Sequence, residues 1–96
     1  ADVDIAAALK LMDEEAKKYH DELGDIACAE PEVLGAADAH DGQIVLRATM
    51  KVKPLEHWAA QRELTARVVK RFAAEDVSMP YERMKVVACR REENAQ

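Results

Sequence analysis

One stretch of this chain alternates strictly, and it lies between two stretches with a longer period. Across 43–52, Ile44, Leu46, Ala48, Met50 and Val52 alternate with Val45, Arg47, Thr49 and Lys51. Successive side chains of a strand point to opposite faces, so this segment has one apolar face and one mixed face. Ahead of it, Ile5, Leu9, Met12, Ala16, Tyr19 and Leu23 recur at steps of three and four. Those steps put all six on one side of a helix. After it, Trp58, Gln61, Thr65, Val68 and Phe72 form a second helical stripe, with Leu55, Leu64 and Val69 beside it. A strand with one apolar face, flanked by two amphipathic helices, calls for a layer of helix on a layer of sheet.

The rest of the chain fits around these three segments. The polar side of the first helix carries Lys10, Asp13, Glu14, Lys17, Lys18 and Asp21. Asp13 with Lys17 and Glu14 with Lys18 are spaced for acid-to-base pairs one turn apart. Asp2 or Asp4 can cap its start, and Gly24 stops it. Residues 24–31 read as a loop. A weaker strand is expected over 32–39, then a hairpin turn at His40-Asp41-Gly42, where Asp-Gly tolerates positive φ. Pro54 ends the strand and suits a helix's first turn. The second helix is expected over 55–75, with Arg62, Glu63, Arg67, Lys70, Arg71 and Glu75 on its solvent side. Val77 to Met79 read as extended and end at Pro80. A last strand is expected over 84–89, then a polar tail over 90–96.

The order helix, strand, strand, helix, strand makes this an α+β chain. It is expected to be one domain over 1–96, a ferredoxin-like two-layer sandwich with both helices on one face of a mixed or antiparallel sheet. A βαββαβ unit would have one more strand before the first helix. That strand is missing from the sequence. The chain opens on Ala1 rather than Met, which reads as a piece of a longer protein.

Composition narrows the function. A 96-residue domain buries only about 60–65% of its unfolded surface, so oligomer contacts would help it. The net charge is −5, and the 14 basic residues are mixed among 19 acidic ones. That balance argues against nucleic acid or an anionic membrane surface as partner. No apolar run approaches the roughly 18 residues of a membrane span. Cys28 and Cys89 make neither a disulfide framework nor a zinc site by their spacing, and they read as two reduced thiols.

Catalytic and ligand signals are weak. His20, His40 and His57 show no ligand spacing, so no metal is expected. The pairs Asp13-Glu14, Asp21-Glu22 and Glu92-Glu93 lie on polar faces, where nothing shifts a carboxylate toward acid–base work. Ser78 is the single serine, and the three glycines form no phosphate loop. No enzyme activity and no cofactor are expected. Trp58 reads as a core anchor in preference to an interface anchor. The last strand can pair within the domain or with another chain.

Three segments carry a family resemblance. PEVLGAADAHDGQIVLRATMKVKP, HWAAQRELTARVVKRFAAEDVSMPY and YERMKVVACRREENAQ, in that order, resemble the C-terminal α/β domain of small-conductance mechanosensitive channels, the MscS family. The Asp-rich opening of the first helix fits as well. The resemblance implies a homo-heptameric channel that releases osmolytes under membrane tension. Its α/β domain would form the lower wall of a cytoplasmic cage, with the terminal strands of seven subunits joined in a parallel barrel. Met84, Lys85, Val86, Val87 and Ala88 would then be barrel-strand residues at the oligomer interface, and Met79, Pro80 and Tyr81 the bend before them. The pore helices and the upper β domain are not in this chain. The membrane is thus reached only through other parts of the parent, and the isolated piece is expected to be a soluble monomer or dimer. The implied role is assembly and gating on the cytoplasmic side of the membrane during osmotic stress. The alternative is a free-standing ferredoxin-like module that binds a regulatory ligand.

Overall fold

Leu46, Ala48, Met50 and Val52 lie buried in a row, and two helices close over them. The computed structural model describes residues 5–37, 44–77 and 81–89. Its elements are α1 (Ile5–Leu23), β1 (Glu32–Ala37), β2 (Ile44–Val52), α2 (His57–Ala74) and β3 (Tyr81–Ala88). The sheet runs β1-β2-β3. Strand β1 is antiparallel to β2, from Glu32 opposite Thr49 to Ala37 opposite Ile44. Strand β3 is parallel to β2, from Tyr81 beside Val45 to Ala88 beside Val52. Helix α1 packs on β1 and β2, and α2 packs on β2 and β3. The expected α+β sandwich is therefore present, with its helices against a mixed three-stranded sheet. In a split βαβ unit another strand separates the parallel pair. Here β2 and β3 pair directly.

The first helix keeps its expected stripe and widens it. Met12, Ala16 and Tyr19 are buried, Ile5, Leu9 and Leu23 pack against the core, and Ala8 and Leu11 join them. Gly24 ends α1 with φ of 57°, a left-handed conformation that favours glycine. The capping residues Asp2 and Asp4, the turn His40-Asp41-Gly42 and the 90–96 tail lie outside the described residues. So do positions 78 and 79 of the expected extended stretch, whose Val77 belongs to no element. The last strand starts earlier than expected, at Tyr81.

Three expectations for α2 are corrected. The helix starts at His57, not Leu55. Pro54 and Leu55 instead sit inside a turn closed by the Glu56 N–H on the Lys53 carbonyl at 3.1 Å. Leu55 has φ of 75° there, the second central position of a type II turn, which a helix cannot begin on. Second, Trp58 is not in the core. It is 65% exposed. The buried stripe is Ala60, Leu64, Val68 and Phe72, a regular step of four. The small Ala60 allows close approach, and Trp58 falls on the flank of that stripe. Third, Arg67 and Arg71 do not stand free in solvent. Both lean onto α1.

Their contacts form the seam between the helices. Arg67 holds both carboxylate oxygens of Glu22, at 2.8 and 2.6 Å, and Glu63 at 2.7 Å. Its guanidinium also lies 4.7 Å from the centre of the Tyr19 ring. Arg71 reaches Glu14 at 2.8 Å, Glu15 at 2.9 Å and Glu75 at 3.2 Å. Glu15 is buried, so its charge needs that partner. The Asp13–Lys17 pair forms at 2.9 Å. Glu14 does not turn to Lys18 as its spacing allowed, because Arg71 offers a planar, multidentate donor.

The expectation of two reduced thiols is also overturned: Cys28 and Cys89 are joined in a disulfide, with Cα atoms 6.4 Å apart. The end of β2 explains the meeting. The Cys28 N–H donates to the Lys51 carbonyl at 2.9 Å, and the Cys89 N–H donates to the Val52 carbonyl at 2.7 Å. Successive carbonyls of β2 point to opposite sides, so the bond ties the segments that flank that end. The residues are 61 apart in sequence, which is why spacing alone hid the contact.

Two outcomes are expected. Replacing Cys28 and Cys89 by Ser removes a cross-link over this long loop. Chain-entropy reasoning puts the loss at about 4 kcal/mol, measured by denaturant unfolding of wild type and variant without reductant. The second concerns pH. Hydrogen bonds from Arg67, aided by its charge and opposed by burial, hold the Glu22 carboxyl below its ordinary value of 4.5. A lowered native pKa gives stability that is present above the unfolded value and lost as pH falls through the native one. The melting temperature of wild type should exceed that of Glu22→Gln at neutral pH, and the gap should start to narrow as pH falls below about 4.5 and close only once the native carboxyl is protonated.

Candidate assembly edge

Strand β3 lies at the side of the sheet, with β2 on one side of it and, among the described residues, no strand on the other. Its side chains divide between two faces. Met84 and Val86 point toward the helices and are buried in the core. Lys85 is exposed and Val87 half-buried on the opposite face, next to exposed Arg47 and half-buried Thr49 of β2. Ala88 is half-buried. The residues expected at an interface thus fall on one strand from Tyr81 to Ala88, while Met79 and Pro80 lie outside the described residues. Met84 and Val86 spend their side chains inside the domain. What they can offer another chain is backbone.

The direction of those backbone groups follows from two contacts. Alternate residues of a strand point their N–H and C=O to the same side. Cys89 donates to β2, so the odd-numbered residues bond inward. Glu82, Met84, Val86 and Ala88 then point outward. The Gln61 side chain of α2 confirms this. Its Nε2 donates to the Met84 carbonyl, and its Oε1 accepts from the Val86 N–H at 2.7 Å. The Thr65 hydroxyl donates to the backbone carbonyl of Gln61 one turn earlier, at 2.8 Å. The sequence reading placed Gln61 on the inward stripe. It could not place the amide on a strand edge 25 residues away.

A hollow of about 890 Å³ opens beside β3, lined by Arg47, Thr49, Thr65, Met84, Lys85 and Val87. Among the described lining residues, the charged groups are Arg47 and Lys85, both basic. His20 lies 3.6 Å from Asp21, and the His57 ring stacks on Trp58 at 4.4 Å. His40 lies outside the described residues. Among the described residues, no three His, Cys, Asp or Glu side chains converge on a point that could hold a metal. No described helix is long and apolar enough to cross a membrane.

The roles of side chain and backbone can be separated by measurement. Val86→Ala should destabilise the domain by about 1–3 kcal/mol, because it opens a cavity under α2. Lys85→Ala, on the other face, should stay within about 0.5 kcal/mol of wild type. Equal losses at the two positions would contradict this division of faces.

Comparison with known proteins gives one informative match. The chain is 35% identical over 94 residues to a small-conductance mechanosensitive channel of Caldanaerobacter subterraneus subsp. tengcongensis. The match covers 97% of this chain and 32% of that protein. The chain thus spans about a third of the length of the curated relative it matches. No family model matches the chain, and no solved structure matches it. The resemblance carried by the three segments is borne out: the sequence corresponds, nearly end to end, to a piece of an MscS-family protein.

Proposed function

We propose that this chain, related over nearly its whole length to part of a small-conductance mechanosensitive channel, is an assembly domain of such a channel. In this reading it catalyses nothing and binds no cofactor. It lies on the cytoplasmic side of the membrane, contributes to a cage below the pore, and joins copies of the subunit into a homo-oligomer that opens in osmotic stress. The observation that supports it most directly is the sequence match, since the relative is a mechanosensitive channel. The fold adds a means of joining subunits. Among the described residues, no strand pairs with the outer edge of β3, where the Gln61 amide alone meets the Met84 carbonyl and the Val86 N–H; such an edge is what strand addition requires.

The test belongs in the full-length parent. Deleting 84–96 would also remove buried Met84 and Val86, so misfolding and failed assembly would be confounded. Ala88→Pro avoids that. Its N–H points outward, where a proline can be tolerated on an edge strand but blocks a neighbour. The variant domain should remain folded by circular dichroism. The parent should lose its oligomer in native mass spectrometry, and cells relying on it should survive hypo-osmotic shock poorly. A normal oligomer with normal survival would refute the proposal.

A further inference from the structure

Two segments meet the end of β2, and a sulfur–sulfur bond joins them to each other. On one side, the Cys28 N–H donates to the Lys51 carbonyl and the Lys53 N–H donates to the Ile26 carbonyl, each at 2.9 Å. These two bonds make Ala27 an antiparallel bridge partner of Val52. On the other side, the Cys89 N–H donates to the Val52 carbonyl at 2.7 Å. Cys89 lies one residue past the end of β3. The disulfide therefore ties the end of β3 to the segment that precedes β1.

The two sulfurs stand in different surroundings. Cys28 is half-buried, whereas Cys89 is 4% exposed. A thiolate arriving from solvent meets the Cys28 sulfur first. The Cys28 Sγ also lies 3.9 Å from the Ile26 carbonyl oxygen. A disulfide sulfur has no proton to give, so that contact is idle while the bond is intact. A thiol at the same place has a weak donor and an acceptor within reach. Reduced Cys89 is a small apolar side chain, which suits burial. The fold thus has a place for both side chains in the reduced state as well as the oxidised one.

We propose that the Cys28–Cys89 disulfide is a reversible redox clamp on the end of β3, opened by a low-molecular-weight thiol such as glutathione and closed by the corresponding disulfide. In the opening, a glutathione thiolate attacks the Cys28 Sγ and the S–S bond breaks. Cys89 leaves as a thiolate and takes up a proton. A second glutathione thiolate attacks the glutathione sulfur of the mixed disulfide, and Cys28 leaves and is protonated in turn. Two thiols are oxidised to one small disulfide, and the protein gains two S–H groups. With the clamp open, the Cys89 N–H still has the Val52 carbonyl, but the strand's end can fray locally. That a reducing medium surrounds the domain rests on the cytoplasmic placement proposed above, where thiols are kept reduced. The geometry of the clamp is independent of it.

The experiment uses the 96-residue chain itself. It is equilibrated in about 10 mM total glutathione, and free thiols are counted by alkylation and mass spectrometry. The chain should take up two alkyl groups at a reduced-to-oxidised ratio of about 1,000:1 and none at about 1:1. The reduced chain should keep its helical circular dichroism, while the residue 89 N–H exchanges with solvent about tenfold faster or more than in the oxidised chain. The double variant Cys28→Ser with Cys89→Ser should match the reduced chain at every ratio. A bond that survives the most reducing buffer is a permanent staple and overturns the proposal. So does a reduced chain that unfolds, or one whose residue 89 N–H exchanges at the oxidised rate. The two readings fail separately. A parent carrying Ala88→Pro that assembles normally removes the assembly role and leaves the clamp standing. A bond that glutathione does not open removes the clamp and leaves assembly untouched.

Discussion

The pairing of β2 with β3 is the contact on which the other contacts depend. The two strands run side by side in parallel from Val45 and Tyr81 to Val52 and Ala88. Parallel strands cannot be joined by a tight turn and need a crossover, which α2 supplies. The pairing sets Met84 and Val86 level with Ala48 and Met50, so one continuous apolar floor spans both strands. Phe72, Leu64 and Val68 of α2 and Met12 of α1 close on that floor. Burial of each large side chain is worth about 1.5–3 kcal/mol. In a domain this small, a few such residues carry most of the stability.

Two features fix β3 from its ends and side. The disulfide joins Cys89, just past its last residue, to Cys28 across the end of β2. The Gln61 amide holds its middle from the open side. The strand is therefore secured within the domain although it lies at the edge of the sheet. Its inner side chains, Met84 and Val86, are committed to the core, and the outer backbone groups of the same two residues meet the Gln61 amide.

The helix seam shows a different balance. Arg67 and Arg71 each gather carboxylates from both helices. Like-charged Glu14, Glu15 and Glu22 would otherwise crowd one side of α1. The arginines turn that crowding into attraction between helices, and Glu15 can be buried as a result. A solvent-exposed acidic helix and a basic helix read separately look like two ordinary polar faces. Together they form a seam.

Local periodicity fixed much of this molecule. The steps of three and four in α1, the alternation in β2 and Gly24 at the helix end are consequences of backbone geometry, and each is readable in a short window. The family likeness was readable for the same reason, since it rests on contiguous segments. Contacts between distant residues were not readable. Trp58 looked like a core residue because it is large and falls on the stripe read from the sequence, but the packing chose small Ala60 and left Trp58 outside. Cys28 and Cys89 looked unrelated until β2 brought both to one end. Gln61 looked like one more residue of the inward helical stripe until α2 laid its amide along β3. Sequence determines which face of each element is apolar, because that depends on neighbours a few residues away. Which side chain meets which edge depends on how the layers close, and that is settled only when the whole core packs.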